Sequence, residues 1–257
     1  MLGKILENRK VGTDYYFMKL ETQAIDESWL PGRFLHLKLS RKRSHDPLLR
    51  RPFSLFDVHR EKKIFDLLYC VVGRGTKIMS EFNPGEQIDF IGPLGTGFTK
   101  PKGENILVIG GGMGTAPLFY LCRKISRDNQ VTVFLGGNDC GDVDFFEKKF
   151  KELDLTLKVA TIDGSRGFRG NVINLWEKKQ GNNNDFDYLF ACGPELMLKE
   201  VQKKAITKNL PGEFSLEERM GCGIGVCLSC VCETEEGNQR VCQEGPVFKI
   251  NEVIFDE

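Results

Sequence analysis

The chain has 257 residues, of which 40% are hydrophobic and 28% are charged, and its 36 basic residues balance its 36 acidic residues. This is a globular composition with length for two small domains and an appendage, and it lacks the basic excess that binds nucleic acid or anionic membranes. The first twenty residues lack the apolar core of a signal peptide, and no segment has the roughly 20 apolar residues that span a bilayer. We therefore expect a cytoplasmic protein with neither a nucleic-acid nor a membrane partner.

Residues 1–98 predict a set of short β-strands. Segments 11–22, 33–40, 63–75 and 86–95 alternate apolar and polar residues or are rich in β-branched and aromatic side chains. Turn residues such as Pro31-Gly32 separate them. Strands at this spacing predict a small antiparallel barrel.

Two motifs in this barrel region favour flavin binding. An arginine pairs well with a pyrophosphate oxygen, a serine can hydrogen-bond a flavin ring atom, and the first turn of a helix can hold phosphate through its free amides. Either motif alone is short and is more often structural, but their order within a barrel supports the hypothesis. The motifs are Arg51-Pro52-Phe53-Ser54, and Leu68-Tyr69-Cys70 followed by Gly75-Thr76 at the start of a predicted helix.

Residues 99–212 predict a parallel α/β domain. The continuous apolar run 106–109 is typical of a buried parallel strand, and a glycine-rich turn and a helix follow it. Strand, glycine turn and helix form the phosphate-binding unit of dinucleotide folds, although the ordinary G-x-G-x-x-G pattern is absent. Three more strand–helix units follow. The turn residues predicted to contact the nucleotide are Gly110, Gly111, Gly112, Gly114 and Thr115.

Two further turns of this domain follow predicted strands and should reach the same ligand, because ligands bind at the carboxyl ends of parallel strands. Cys192, ahead of Gly193 and Pro194, is predicted to face a nicotinamide ring, with a small buried core residue as the alternative. Asp163 is predicted to bind the ribose hydroxyls and to repel a 2′-phosphate. This favours NADH over NADPH, although Arg166 nearby argues the other way.

Residues 213–257 contain the densest group of cysteines. Cys222, Cys227 and Cys230 have the C-x4-C-x2-C spacing of plant-type [2Fe–2S] proteins. Cys242 follows after eleven residues, and we interpret Cys232 as a bystander thiol. A structural zinc site usually has two C-x2-C pairs, and a disulfide framework belongs to oxidising compartments, so both alternatives are less favoured.

A β-hairpin is predicted within this segment, turning at Gly237-Asn238. It would return Cys242 to the side of Cys230. The predicted domains are therefore 1–98 for FAD, 99–212 for NAD and 213–257 for the cluster.

Together the three units predict an electron relay. A nicotinamide exchanges two electrons at once and the cluster exchanges one, so a flavin is needed between them. We expect no catalytic acid or base from this chain, since His36, His45 and His59 all lie in the barrel region without a triad context. A non-catalytic sensor is the alternative from another class, but it would not need the flavin and nucleotide motifs.

The order of RPFSL, GRGTKIMS, GGGMGTAPL, ACGPELM and SLEERMGCGIGVCLSCVC resembles the electron-transfer subunits of type B dihydroorotate dehydrogenases, in the ferredoxin–NADP reductase superfamily. The resemblance covers nearly the whole chain, with departures at Phe53, Met113 and Thr115. It implies that the two barrel motifs hold FAD. It also implies that the cluster is ligated by Cys222, Cys227, Cys230 and Cys242.

The resemblance also implies a partner. In the family, a separate FMN-containing catalytic subunit oxidises dihydroorotate, and two copies of each subunit form a heterotetramer. Electrons would pass through FMN, the cluster and FAD to NAD⁺ in de novo pyrimidine synthesis. Similar small subunits serve NAD(P)H-dependent ferredoxin reductases and sulfide dehydrogenases, and these remain the alternative function.

Overall fold

The computed structural model describes residues 1–40, 46–180 and 186–255, so His45 lies outside the described residues. No helix in these ranges is both long and apolar enough to cross a membrane. Two seven-stranded sheets and one two-stranded hairpin make up the strand content of the described chain.

The first sheet is antiparallel, as the sequence predicts, and has the order β4-β3-β7-β1-β2-β6-β5. Its two edge strands follow one another in the chain with only two residues between them, so the sheet curls into a barrel. A 3₁₀ turn at Arg60–Lys62 and helix α1 at Arg74–Ser80 complete the unit. The strands are β1 Leu2–Lys10, β2 Tyr15–Glu21, β3 Phe34–Lys38, β4 Arg51–Ser54, β5 Asp57–His59, β6 Ile64–Cys70 and β7 Gln87–Leu94.

The barrel interior is filled by aromatic rings. Trp29 is fully buried, with its ring centroid 5.1 Å from that of Phe65 and 6.0 Å from that of Phe90. Its indole N–H donates to the Ala24 carbonyl at 3.0 Å, which satisfies the polar atom that burial would otherwise leave unpaired. These contacts pack β6 and β7 together in the barrel interior.

The second sheet has the order β11-β10-β9-β8-β12-β13-β16, and every pair is parallel except the last. The predicted strand–helix units are all present, with a 3₁₀ turn at Gly112–Thr115. The strands are β8 Asn105–Gly111, β9 Gln130–Gly137, β10 Thr156–Thr161, β11 Phe168–Arg169, β12 Tyr188–Cys192, β13 Gly212–Ser215 and β16 Val247–Lys249. The helices are α2 Ala116–Ile125, α3 Cys140–Phe150, α4 Val172–Gln180 and α5 Glu195–Thr207.

The C-terminal segment forms the predicted hairpin from β14, Val231–Thr234, and β15, Gly237–Arg240. The prediction placed its turn at Gly237-Asn238, and this is wrong: Thr234 pairs with Gly237, so the turn is Glu235-Glu236. Strand β13 spans the predicted boundary between the second and third domains, at residues 212 and 213, and β16 pairs with this strand. The segment from 213 onward is therefore attached to the parallel sheet.

Side chains of α2 join the barrel to the α/β unit. The Arg123 guanidinium donates to Asp57 Oδ1 at 2.7 Å and to the Val58 carbonyl at 2.8 Å. Phe119 stacks on Phe56 with ring centroids 4.6 Å apart. Because β5 and α2 are held together in this way, the barrel mouth faces the carboxyl ends of the parallel strands.

Candidate functional site: two joined cavities and a cysteine loop

A cavity of about 470 Å³ lies at the barrel mouth. Its lining includes all nine residues of the two predicted flavin motifs, which strand β4 and the β6–α1 connection bring together from opposite sides. The nine are Arg51, Pro52, Phe53, Ser54, Leu68, Tyr69, Cys70, Gly75 and Thr76. The structure thus gathers two motifs that are about twenty residues apart in the sequence into one surface.

Local hydrogen bonds shape this cavity. The Thr76 hydroxyl oxygen accepts the backbone N–H groups of Val72 at 3.0 Å and Gly73 at 3.3 Å, which fixes the loop that leads into α1. The Arg51 guanidinium donates to the Leu49 and Arg50 carbonyls and stays at the cavity edge. The lining therefore combines apolar and aromatic side chains with basic groups, which suits a flavin ring and its pyrophosphate.

A second cavity, of about 530 Å³, lies between the glycine turn and the C-terminal segment. Five of the predicted nucleotide-binding residues line it. They are Gly111, Gly112, Gly114, Gly193 and Pro194. The opposite side consists of residues to which sequence reasoning assigned no nucleotide role, chiefly Val231, Cys232 and Glu233 of β14.

The glycine turn packs directly against the Cys192-Gly193-Pro194 turn. A Cβ added to Gly114 would lie 2.6 Å from the Gly193 Cα, so a larger residue would push the two turns apart. A Cβ on Gly110 would lie 2.5 Å from Thr115 Oγ1. Gly110 and Thr115 therefore pack against each other within the turn. Neither residue lines the barrel-mouth cavity or the cavity at the glycine turn.

Two other predicted residues also lie outside both cavity linings. Cys192 is fully buried, and burial raises the pKa of its thiol well above the ordinary value, as expected for the alternative of a small core residue. Asp163 accepts hydrogen bonds from the Ser165 amide at 2.9 Å and hydroxyl at 2.7 Å, at the edge of the sheet. Their roles beside a nucleotide remain predictions.

Arg166 forms a salt bridge within the protein. Its guanidinium donates to both carboxylate oxygens of Glu147, at 2.7 and 3.0 Å, and Lys151 binds the same carboxylate at 2.7 Å. These contacts hold the pKa of Glu147 below its usual value. Arg166 is thus held against α3. Because Glu147 neutralises its charge, it is less able to attract a 2′-phosphate.

The loop 221–230, called here the cysteine loop, carries three of the four predicted cluster cysteines. The hairpin that follows it brings the fourth, Cys242, to the same place. Backbone amides point at their sulfurs: Gly225 N–H donates to Cys242 Sγ at 3.1 Å, and Val226 N–H donates to Cys222 Sγ at 3.3 Å. Cys230 and Cys242 are buried, and the Val241 amide donates to the Cys230 carbonyl at 2.7 Å. The hairpin thus returns Cys242 to Cys230, as the sequence predicts.

The thiols of this cysteine loop and of Cys242 differ in acidity. Hydrogen bonds from Ser229 and from the Cys222 amide lower the pKa of Cys227 to about 6. Burial raises the pKa of Cys242 to about 12, so its thiolate needs adjacent positive charge, which a metal supplies. All nine cysteines are free thiols, which removes the disulfide alternative.

The donor set of this loop fits an iron–sulfur cluster. It consists of three cysteines with the C-x4-C-x2-C spacing and a fourth, Cys242, that follows the hairpin. Four thiolates with this spacing are the ligands of a [2Fe–2S] cluster, whereas a structural zinc site usually has two C-x2-C pairs.

Comparison with known proteins defines the class. Residues 217–254 match the family model for the iron-sulfur cluster binding domain of dihydroorotate dehydrogenase B. A solved NADH-dependent reduced ferredoxin–NADP oxidoreductase superimposes with a TM-score of 0.86 at 28% identity, over 99% of this chain and 90% of that one. A ferredoxin reductase of carbazole 1,9a-dioxygenase shares the fold, with a TM-score of 0.67 at 20% identity over 83% and 68%. The chain is a ferredoxin-reductase-type protein with an added iron–sulfur domain.

Sequence relatives define the family. The dihydroorotate dehydrogenase B (NAD(+)) electron transfer subunit of Desulforamulus reducens is 39% identical, over 99% of this chain and 98% of its own length. The Bacillus pumilus subunit is 38% identical over 98% and 96%. The chain belongs to the family of electron transfer subunits of NAD-dependent dihydroorotate dehydrogenase B.

Proposed function

We propose that this chain passes electrons from an FMN-containing dihydroorotate dehydrogenase subunit, through a [2Fe–2S] cluster and FAD, to NAD⁺ in pyrimidine synthesis. The observation that supports this most directly is the arrangement of the site. The cavity at the barrel mouth and the cavity at the glycine turn share part of their lining, and the cysteine loop begins just after Met220, which lines the first cavity.

FAD would occupy the cavity at the barrel mouth, held by the nine motif residues, and NAD⁺ the adjoining one. When bound, the flavin supplies the exchange between two-electron and one-electron transfer. Arg51 would neutralise pyrophosphate charge, and Gly111, Gly112 and Gly114 would let the nucleotide phosphates approach the backbone. The segments 1–98, 99–212 and 213–257 remain our proposed functional division.

The cluster would be held by Cys222, Cys227, Cys230 and Cys242. The amides that point at Cys222 and Cys242 would donate to the ligating sulfurs and stabilise the reduced, more negative cluster. The Arg240 guanidinium donates to the Gly225 carbonyl at 2.8 Å and pairs with Glu244, which ties the loop to the hairpin.

The catalytic partner would dock over the cysteine loop. Ile224, Val226 and Leu228 are 49%, 74% and 63% exposed and surround the exposed Cys227, and a row of apolar side chains beside a charged hairpin is typical of a protein interface. Docking here would bring the partner's cofactor near the cluster. We propose the assembly of two subunits of each kind, in the reducing cytoplasm.

The test is to purify this chain anaerobically with whatever remains bound, add dihydroorotate, and follow NADH formation. We expect NADH formation that requires both subunits. The alternative is a ferredoxin reductase function, which the similarity to the NADH-dependent ferredoxin–NADP oxidoreductase favours. A complex that contains flavin and cluster but reduces NAD⁺ only with ferredoxin as donor would establish that alternative.

A further inference from the structure

The two cavities meet at four residues, and only two of these can hold a proton. Met113, Leu216, Glu217 and Glu218 line both cavities. Glu217 follows the end of β13 at Ser215, which places its carboxyl between the site proposed for the flavin and the site proposed for the nicotinamide. Within the described ranges, its carboxylate has no hydrogen bond or ion pair.

The surroundings of Glu217 disfavour its charged form. The Glu217 side chain is exposed where the two cavities open. The protein atoms around the cavity junction still desolvate its carboxyl in part, which raises its pKa above the ordinary value. It also lies close enough to the buried Cys192 for its charge to contribute to raising the pKa of that thiol. The other titratable or charged groups lining the two cavities are Arg51, Tyr69, Cys70, Arg74, Glu195, Glu218, Cys232 and Glu233.

The proposed electron route requires a proton at this junction. Electrons that arrive through an iron–sulfur cluster come one at a time and bring no protons. The hydride that converts NAD⁺ into NADH consists of two electrons and one proton. The balance is two electrons plus one proton plus NAD⁺ to give NADH, so one proton must enter for every NADH formed. The sequence predicted no acid or base from this chain, because its three histidines lack a triad context.

We propose that Glu217 supplies this proton, an inference that rests on the proposed function. The O–H bond of its carboxyl would break, and its proton would pass to the flavin that the barrel mouth would hold. The bound flavin would supply the two electrons that, together with this proton, make up the hydride. The Glu217 carboxylate then takes its next proton from water at the open side of the cavity. In the opposite direction, Glu217 accepts the proton that remains when electrons leave singly through the cluster.

Glu218 is the weaker candidate of the two. Its Oε2 accepts the Arg219 amide at 3.3 Å, and its charge acts on Cys232 of β14, on the nucleotide side. Its carboxylate therefore already has a hydrogen-bond donor, whereas the carboxylate of Glu217 has none within the described ranges.

The test compares the two directions of electron flow in the purified complex carrying Glu217→Gln, which keeps the shape of the side chain but cannot titrate. Dihydroorotate-driven NAD⁺ reduction needs the proton and should fall about 100-fold, the usual contribution of a general acid. The first reduction of FAD by NADH, followed by stopped flow, brings its own hydride and should stay within a factor of two or so. In the wild type, NAD⁺ reduction should slow as pH rises through the raised pKa of Glu217, and this pH dependence should disappear in the variant.

Two measurements keep this test decisive. FAD content and flavin midpoint potential should match the wild type, and the infrared band of a protonated carboxyl should be lost in Glu217→Gln. Glu235→Gln, in the exposed hairpin turn, removes a charge from the same segment and should change none of these properties.

An equal loss in both directions would make Glu217 a binding residue, and direction-selective loss in Glu218→Gln alone would assign the proton to Glu218. Either overturns the proposal, whereas a wild-type complex that cannot reduce NAD⁺ with dihydroorotate overturns the proposed function instead.

Discussion

The cysteine loop and the nucleotide cavity both use the C-terminal segment, but they depend on contacts of very different range. Three of the four cluster cysteines lie within nine residues, and a single hairpin supplies the fourth. The nucleotide cavity needs the glycine turn after β8, the turn after β12 and strand β14, which are far apart in the chain. A metal site can therefore be encoded by spacing, whereas a cavity between units is defined only when the units pack.

The largest expected effect tests the independence of the cysteine loop. Cys227→Ser removes a thiolate whose pKa is already low, and a serine hydroxyl is a poorer iron ligand because it is far less acidic than a thiol. We expect loss of the cluster's visible absorption and iron, and a fall of dihydroorotate-driven NAD⁺ reduction to background, with FAD retained.

Cys140→Ser is the matched control, because Cys140 is also exposed but lies at the start of α3, outside both cavities. If Cys227→Ser lost FAD together with iron, the loop would be holding the barrel mouth in place. The cysteine loop would then not be independent of the cavities that form by packing of distant segments.

The second effect concerns the cavity at the barrel mouth. Arg51→Ala removes the guanidinium proposed to pair with the pyrophosphate, a charged hydrogen bond worth about 1.5–3 kcal/mol. FAD affinity should fall about 10- to 100-fold, measured by flavin retention on dialysis. Arg9→Ala removes a surface arginine of β1 and should leave FAD content unchanged. Equal retention in the two variants would remove Arg51 from the flavin site.

A third experiment measures how far the cysteine loop depends on the barrel. Gly223 has a positive φ of 71°, and a Cβ there would lie 2.6 Å from Nδ1 of His36 on β3. Gly223→Ala should therefore destabilise the loop by about 1–3 kcal/mol, through backbone strain plus this clash. The readout is the rate of cluster loss on warming.

Gly237→Ala is the control for Gly223→Ala. Gly237 has a φ of 94°, but a Cβ there meets no heavy atom within 4 Å, so only the strain is present. Equal cluster loss in the two variants would mean that packing on His36 contributes nothing, and that the loop is as independent of the barrel as its spacing suggests.

The smallest effect lies in the α/β unit. The folded-state pKa of Glu147 is lowered by Arg166, so this pair stabilises the fold above the ordinary glutamate pKa of about 4.3. That stability is lost as pH falls through the lower, folded-state pKa. Glu147→Gln should flatten the decline of Tm between about pH 5 and pH 3, by the equivalent of about 1 kcal/mol or less. Identical acid profiles for the two proteins would contradict this assignment.

Features that depend on contiguous residues can be predicted from the sequence of this protein. The parallel strands β8 to β10 and β12 follow from short apolar runs ahead of helices, and the cluster ligands follow from C-x4-C-x2-C. The flavin motifs at Arg51–Ser54 and Leu68–Cys70 are also contiguous in the sequence, but they lie on β4 and β6, which are not hydrogen-bonded neighbours. Only closure of the barrel brings them to one cavity.

Only the tertiary structure decided the rest. It placed Cys192 in the core, moved the hairpin turn to Glu235-Glu236 and formed one side of the nucleotide cavity from β14. Glu217 stands within the quoted SLEERM motif, yet nothing in its sequence neighbours marks it as different from Glu218. Its position between two cavities arises because β13 joins the parallel sheet while the next residues pass the barrel mouth, and such long-range packing has no periodic signal in the sequence.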